Sequence, residues 1–383
     1  MADFYALIPS LSEEEQLTKQ AVADWVDERF LPRINQHFAD ATFPMELLPE
    51  MAELGVFGAN IQGYGCAGLN NVSYGLMMQE LERGDSGLRS FASVQGALVM
   101  YPIHRYGTEE QKNLWLPQLS SGEAIGCFGL TEPDHGSDPG GMTTRARKKG
   151  DHWVLNGAKM WITNGSIARI AIVWAKDEEG VIRGFIVEND RRGFSAPLMK
   201  GKYSLRASVT SELVLDEVEV PDTNRLEVTG LKAPLSCLTQ ARYGIAWGAI
   251  GAAEACYQSS LNYALTRKQF DQPLASFQLV QAKLTDMVNE ITKAQLLALQ
   301  LGRLKDAGEM TFSQVSLAKM NNVAMALEIA RAARDLHGAN GITEEYPPIR
   351  HMLNLESVKT YEGTHDIHKL IVGQAITGIA AFK

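Results

Sequence analysis

Cysteine is scarce and scattered in this 383-residue chain: Cys66, Cys127, Cys237 and Cys256 are the whole set. No two form a CxxC pair, so neither a disulfide scaffold nor a zinc knuckle is expected, and free thiols suit a reducing compartment. Basic residues are in the minority, 36 against 45 acidic, for a formal charge of -9. That balance does not favour nucleic acid or an anionic membrane as the main partner. Long apolar runs are missing too. The first helix region carries Glu13, Glu14 and Glu15 with no basic segment leading into an apolar one, so no secretion signal and no stable membrane insertion are expected. The expected location is a bacterial cytoplasm, or the mitochondrial matrix if a presequence has been removed. With 45% hydrophobic and 21% charged residues, disorder and collagen-like repeats are excluded. At about 150 residues per domain, two or three domains are expected.

The periodicity reads helix, sheet, helix. Ser12-x-x-Glu15 and Thr108-x-x-Gln111 are capping-box signals, and apolar stripes of helical spacing run over 45–54, 72–83 and 87–106. Between Thr131 and Pro221 the composition turns to Gly, Ser, Thr and alternating runs. Asn156-Gly157 predicts a hairpin turn between strands at 153–155 and 159–162. Further strands are expected at 170–174, 181–187 and 211–220, together an antiparallel barrel or sandwich. From Pro234 the helical period returns over 244–262, 277–301 and 315–336, with a last helix after Gly363, a bundle of roughly four. The fold class is therefore α+β multidomain: a helical domain over 1–126, a β domain over 127–228 and a helical bundle over 229–383.

Some motifs point nowhere. Gly63-Tyr64-Gly65-Cys66-Ala67-Gly68 matches the dinucleotide fingerprint literally, but no strand precedes it and no βαβ unit surrounds it, so it reads as a surface loop. His365 and His368 flank Asp366 at helical spacing, yet no local cluster completes a metal site. They read as capping or solvent-facing groups, and no metal is expected. The glycine-rich stretch from Leu130 to Gly140 lacks a Walker ending, though its hydroxyls and amides can cradle a diphosphate or a polar ring edge. In a strand, Trp161 and Thr163 point to one side, presenting an aromatic face with a hydroxyl.

The order and spacing of Thr131-Glu132-Pro133…Gly136-Ser137-Asp138, Trp161-Ile162-Thr163, Arg267-x-Gln269-Phe270, Asn340-Gly341 and Tyr361-Glu362-Gly363-Thr364 resemble the acyl-CoA dehydrogenase family over essentially the whole chain. Within it, residues 81–95, 241–248 and 360–378 are most similar to the glutaryl-CoA dehydrogenase branch. The resemblance implies an FAD enzyme, usually a homotetramer, acting on an acyl-CoA substrate and passing electrons to an electron-transfer flavoprotein. It implies Glu362 as catalytic base, with developing enolate charge met by the Glu362 amide and a flavin ribityl hydroxyl. Thr131, Trp161 and Thr163 resemble the flavin-ring contacts, and Ser137 a contact shared with CoA. Arg267, Gln269 and Phe270 resemble the patch lent to the FAD of a neighbouring subunit. Asp335, Gly338, Ala339, Asn340, Gly341 and Thr364 complete the implied cofactor set. Arg242 resembles the basic residue near the adenine end of CoA, where Thr239 replaces the usual Asp or Asn.

The resemblance implies that substrate choice rests on Arg89, Ser90 and Ser93, with Glu82 resembling the carboxylate that holds the arginine. A terminal carboxylate is buried only beside a fixed cation and donors, as glutaryl-CoA requires. Tyr361 resembles the phenol of the decarboxylating branch, in which glutaconyl-CoA loses CO2 to give crotonyl-CoA. The alternatives are a nondecarboxylating glutaryl-CoA dehydrogenase, a short-chain acyl-CoA dehydrogenase or oxidase, and a non-catalytic helical interaction protein.

Overall fold

The computed structural model describes residues 3–382. Both capping boxes close as their sequences require. Ser12 and Glu15 start the Glu13–Trp25 helix, and Thr108 and Gln111 start Glu109–Ser120. Asn71–Gly84 and Ser86–Ser93 are separated by Asp85, whose extended backbone ends one helix while its side chain caps the next. The path continues through a widened turn at Val94–Met100 into Tyr101–Tyr106.

The middle region is an eight-stranded sheet. Its main path runs Phe194–Ser195, Thr210–Pro221, His152–Thr163, Arg145–Lys149, Ile170–Lys176, Ile182–Glu188 and Arg225–Thr229. Two expectations are corrected here. The sheet is mixed rather than antiparallel, because Gly126–Gly129 pairs in parallel with Ile170–Lys176. Asn156-Gly157 is also no hairpin turn. His152–Thr163 is one continuous strand, and the chain reverses two residues before it, at Gly150-Asp151. Gly157 sits instead at a register shift, where a Cβ would stand 2.5 Å from the Thr144 hydroxyl. The Asn156 amide is tied across the sheet to Glu217, donating to its carboxylate at 2.6 Å and accepting from its N–H at 2.9 Å. A bulge and a turn ask for the same two residue types, so local sequence does not separate them.

The Ile170–Lys176 strand faces two cores. Ile170, Ile172 and Trp174 join the large apolar cluster shared with the helices, whereas Ala171, Val173 and Ala175 join the core inside the sheet. The C-terminal bundle comprises Lys232–Thr266, Gln278–Asp306, Phe312–Leu336 and His365–Thr377, plus Pro348–Thr360, which the apolar pattern does not disclose. Its buried face includes Arg350, His351 and Asn354. Arg350 and Asn354 are matched by Asp85, at 2.6 and 2.8 Å. Among the described residues no helix is long and apolar enough to cross a membrane.

Candidate functional site

Four sequence-distant segments meet at the loop between Pro348–Thr360 and His365–Thr377. Tyr361 and Glu362 leave the first helix, and Thr364 caps the second by accepting from the Ile367 N–H. Glu362 has a φ of 52°, in the left-handed region that a long side chain seldom occupies. Such a conformation costs about 1–3 kcal/mol and persists where neighbours over-determine it. Those neighbours are visible. Arg242, buried on Lys232–Thr266, donates from Nε to the Glu362 carbonyl at 2.7 Å. Lys319, buried on Phe312–Leu336, donates to the carbonyls of Tyr361 and Gly363, the latter at 2.8 Å.

The Glu362 carboxyl is pushed above the ordinary carboxylate range by burial, against the opposing pull of Arg89, Lys319 and Arg242. Its Oε2 is buried and has no hydrogen-bond partner among the described residues. A basic, desolvated carboxylate with one oxygen uncommitted is suited to removing a weakly acidic proton.

Arg89 and Glu82 lie beside it, both fully buried. Arg89 Nε donates to Glu82 at 2.7 Å, and Nη2 donates to the Tyr361 hydroxyl. Ser90 Oγ lies 3.1 Å from the same phenol, and the Ser93 hydroxyl is buried one turn along. Burial works against the charge of Arg89, but Glu82, Tyr361 and Glu362 hold its pKa above the free guanidinium's. Tyr361 is pushed up to about 12, chiefly by burial, and stays a neutral phenol. Among the described residues, Nη1 of Arg89 is buried without a partner.

Gly248 makes this pair possible. A Cβ there would stand 2.1 Å from Glu82 Oε2 and 3.2 Å from Arg89 Nε. Gly248→Ala should therefore dislodge Glu82 and destabilise the protein by about 1–3 kcal/mol. Thermal melts should show the loss.

The implied ring contacts form a second group. The Met160 N–H donates to the Thr131 carbonyl at 2.9 Å, bringing Thr131 beside Trp161 and Thr163. Trp161 has a φ of 64° and is 62% exposed, an aromatic face free to take a planar partner. Ser137 is exposed on the neighbouring loop. Sequence reasoning missed what anchors that loop. Glu132 is buried and accepts from Lys159 at 2.8 Å, from the Thr143 and Thr144 N–H groups at 2.6 and 3.0 Å, and from the Thr143 hydroxyl. Burial opposes its charge, but these contacts hold it at about 2.

A third group lies on the surface. Arg267, Gln269 and Phe270 belong to an exposed two-stranded hairpin, with Phe270 87% exposed at a φ of 51°. Asn340 donates to the Tyr263 hydroxyl at 3.1 Å, drawing the Gly338–Ile342 turn, with Ala339 and Gly341, towards this end of Lys232–Thr266. Asp335 is exposed and paired with Lys283 at 2.5 Å. His368 departs from its expected solvent-facing role. It is buried under Gly363 and pulled down to about 2 by burial, Lys319 and Arg242, so it is a neutral ring. Among the described residues no group of three or more His, Cys, Asp or Glu can hold a metal ion.

The models for the acyl-CoA dehydrogenase N-terminal, middle and C-terminal domains match residues 12–123, 127–218 and 229–377. A probable acyl-CoA dehydrogenase of Bacillus subtilis is 37% identical over 376 residues, covering 96% of this chain and 98% of that protein. The crystal structure of a glutaryl-CoA dehydrogenase from Mycobacterium smegmatis is 57% identical with a TM-score of 0.98, covering 100% of this chain and 99% of that one. A second glutaryl-CoA dehydrogenase structure from that organism, in complex with FADH2, is 54% identical with a TM-score of 0.97, covering 100% and 98%.

Proposed function

Because this chain belongs to the acyl-CoA dehydrogenase family, we propose that it oxidises glutaryl-CoA with FAD and decarboxylates the product to crotonyl-CoA and CO2. The single observation carrying the substrate assignment is the buried, partnerless Nη1 of Arg89. A buried guanidinium with a free donor is costly until an acceptor arrives, and a carboxylate is the acceptor whose shape and charge match it. Charge supports the same reading. Arg89 and Arg242 are permanent cations beside Glu362, joined by Lys319, which burial pulls down to about 7, while Glu82 is the carboxylate paired with Arg89, so positive charge is in excess before an anion enters. A plain acyl chain would leave that excess unanswered.

The cofactor fits the residues present. Trp161 offers an exposed ring face, Thr131 is tied by its carbonyl to the neighbouring Met160, and Thr163 adds a hydroxyl two residues along the same strand. FAD, when bound, supplies the two-electron acceptor for the hydrogen leaving the β carbon. The chain's own residues do the rest. Glu362 takes the α proton, while Arg89 and Ser93 fix the far carboxylate, so the reacting carbons are held from both ends. In the second stage the γ carbon–carboxylate bond breaks, its electron pair enters the conjugated thioester dienolate, and CO2 leaves. The protonated Glu362 then returns its proton to carbon. Tyr361, kept neutral beside Arg89, donates a hydrogen bond without adding a second negative charge. The buried bond from Arg242 to the Glu362 carbonyl supports a role under the base rather than at the adenine end of CoA.

The exposed Phe270 hairpin and the Asp335–Gly341 region are proposed to serve the FAD of a neighbouring subunit in a homotetramer, with an electron-transfer flavoprotein as acceptor and an aqueous compartment, bacterial cytoplasm or mitochondrial matrix, as location. The test is product analysis with glutaryl-CoA and an artificial electron acceptor. Crotonyl-CoA and CO2 are expected in equal amounts. Glutaconyl-CoA accumulating alone would reduce the activity to nondecarboxylating oxidation.

A further inference from the structure

We propose that Lys319 is a positioning residue for the reaction, its ammonium clamping the peptide carbonyls on either side of Glu362 and thereby aiming the carboxylate. This rests on reading Glu362 as the base.

Lys319 is a lysine where its helix calls for an apolar residue. It shares the inward face of Phe312–Leu336 with Val315, Ala318, Asn322, Val323 and Ala326, and is 1% exposed. An ammonium has three donors and no acceptor. Here it reaches the carbonyls of Tyr361 and Gly363, and the Glu362 carbonyl is 3.4 Å away. Successive carbonyls of an extended chain point to opposite sides and cannot converge on one point. They converge here because Glu362 and Gly363 are consecutively left-handed, with φ of 52° and 93°. The ammonium and the strained backbone are therefore one device. Arg242 grips the Glu362 carbonyl from a second helix.

With its donors on the backbone, Lys319 is not committed to the Glu362 carboxylate, which keeps its free oxygen. Burial pulls Lys319 itself down to about 7, with Glu362 opposing, and its protonated form lowers the proton affinity of that carboxylate. The charged and titratable groups facing this centre are Arg89 from Ser86–Ser93, Glu82 and Tyr74 from Asn71–Gly84, Arg242 from Lys232–Thr266, His365 and His368 from His365–Thr377, and Tyr361 beside the base. Of these, His368 is neutral and adds no charge of its own. Removing Lys319 therefore subtracts one cation from a set that opposes protonation of the base, and the base's pKa must rise.

The experiment compares Lys319→Met, which keeps the length and removes donors and charge, with Lys319→Gln, which keeps donors without charge. Both are purified as holoenzymes, with Glu362→Gln alongside. For Lys319→Met, kcat with glutaryl-CoA should fall by about 10²-fold, the cost of about 1 Å of misplacement. Its KM should move far less, and flavin content should hold. The acid limb of the kcat–pH profile should shift to higher pH in both variants, while Lys319→Gln recovers part of kcat. Unchanged kcat and an unmoved acid limb would overturn the assignment. So would loss of flavin or of a cooperative melt in both variants, because the lysine's role would then be structural. Should Glu362→Gln itself retain turnover, the fault lies in the identity of the base, which the Lys319 variants alone do not report.

Discussion

Glu362→Gln should bind FAD and glutaryl-CoA normally and yet fail to turn over. The two side chains have the same shape, so the pocket is preserved, but an amide cannot accept a proton at neutral pH. General-base catalysis contributes about 10²- to 10⁴-fold, and kcat should fall by at least that factor with little change in substrate affinity, since only the transition-state interaction is removed. An anaerobic visible spectrum is the direct check. Wild-type flavin should bleach on adding glutaryl-CoA, whereas the variant's should stay oxidised while its band shifts on binding. Bleaching at the wild-type rate would remove Glu362 from the chemistry. The wild-type pH profile carries the same information. Burial raises the Glu362 carboxyl above the ordinary carboxylate range, with Arg89, Lys319 and Arg242 opposing. The base is active when ionised, so turnover should fall as pH drops through that raised value, and Glu362→Gln should lose that limb altogether.

What local sequence can say depends on how far away the deciding atoms lie. The capping boxes at Ser12 and Thr108 are legible because both partners stand within four residues. The hairpin expected at Asn156-Gly157 fails because the deciding contacts come from Thr144 and Glu217. The helix Pro348–Thr360 hides because Arg350, His351 and Asn354 interrupt the apolar stripe of its inward face and the partner of two of them, Asp85, is over 260 residues distant. At the site, Glu362, Arg89, Glu82 and Tyr361 emerged from family resemblance, and no periodicity pointed to them. Lys319 escaped even that, and Glu132, though part of the Thr131–Pro133 motif, carried no expected role. A lysine or glutamate ordinarily marks a solvated face, and only a lysine at an apolar stripe position hinted otherwise. Strain leaves no mark in residue identity either. Trp161, Phe270 and Glu362, each a candidate on other grounds, are all left-handed non-glycine residues, where functional sites concentrate such conformations.

Arg89→Ala should convert a selective enzyme into one that no longer prefers an acid tail. Truncating one partner of a buried, hydrogen-bonded charge pair costs about 2–5 kcal/mol, and each 1.4 kcal/mol is about tenfold. The kcat/KM for glutaryl-CoA should therefore fall by at least about 30-fold. Butyryl-CoA ends in a methyl group that gains nothing from a guanidinium, so its kcat/KM should change by no more than about threefold, in either direction. The substitution also strands Glu82, which is fully buried and accepts from Arg89 at 2.7 Å. An uncompensated buried carboxylate destabilises a protein by about 3–5 kcal/mol, so less of the variant should be recovered folded than of the wild type. The ratio of kcat/KM for the two substrates, measured on one preparation, cancels the folded fraction and isolates specificity. Glu82→Gln with Arg89→Ala provides the second control, relieving the stranded charge without restoring the guanidinium. If selectivity comes from Arg89, the ratio stays collapsed in the double variant while thermal stability recovers. Equal losses for both substrates would instead mean that Arg89 supports the fold around Tyr361 and Glu362 and that chain preference resides elsewhere.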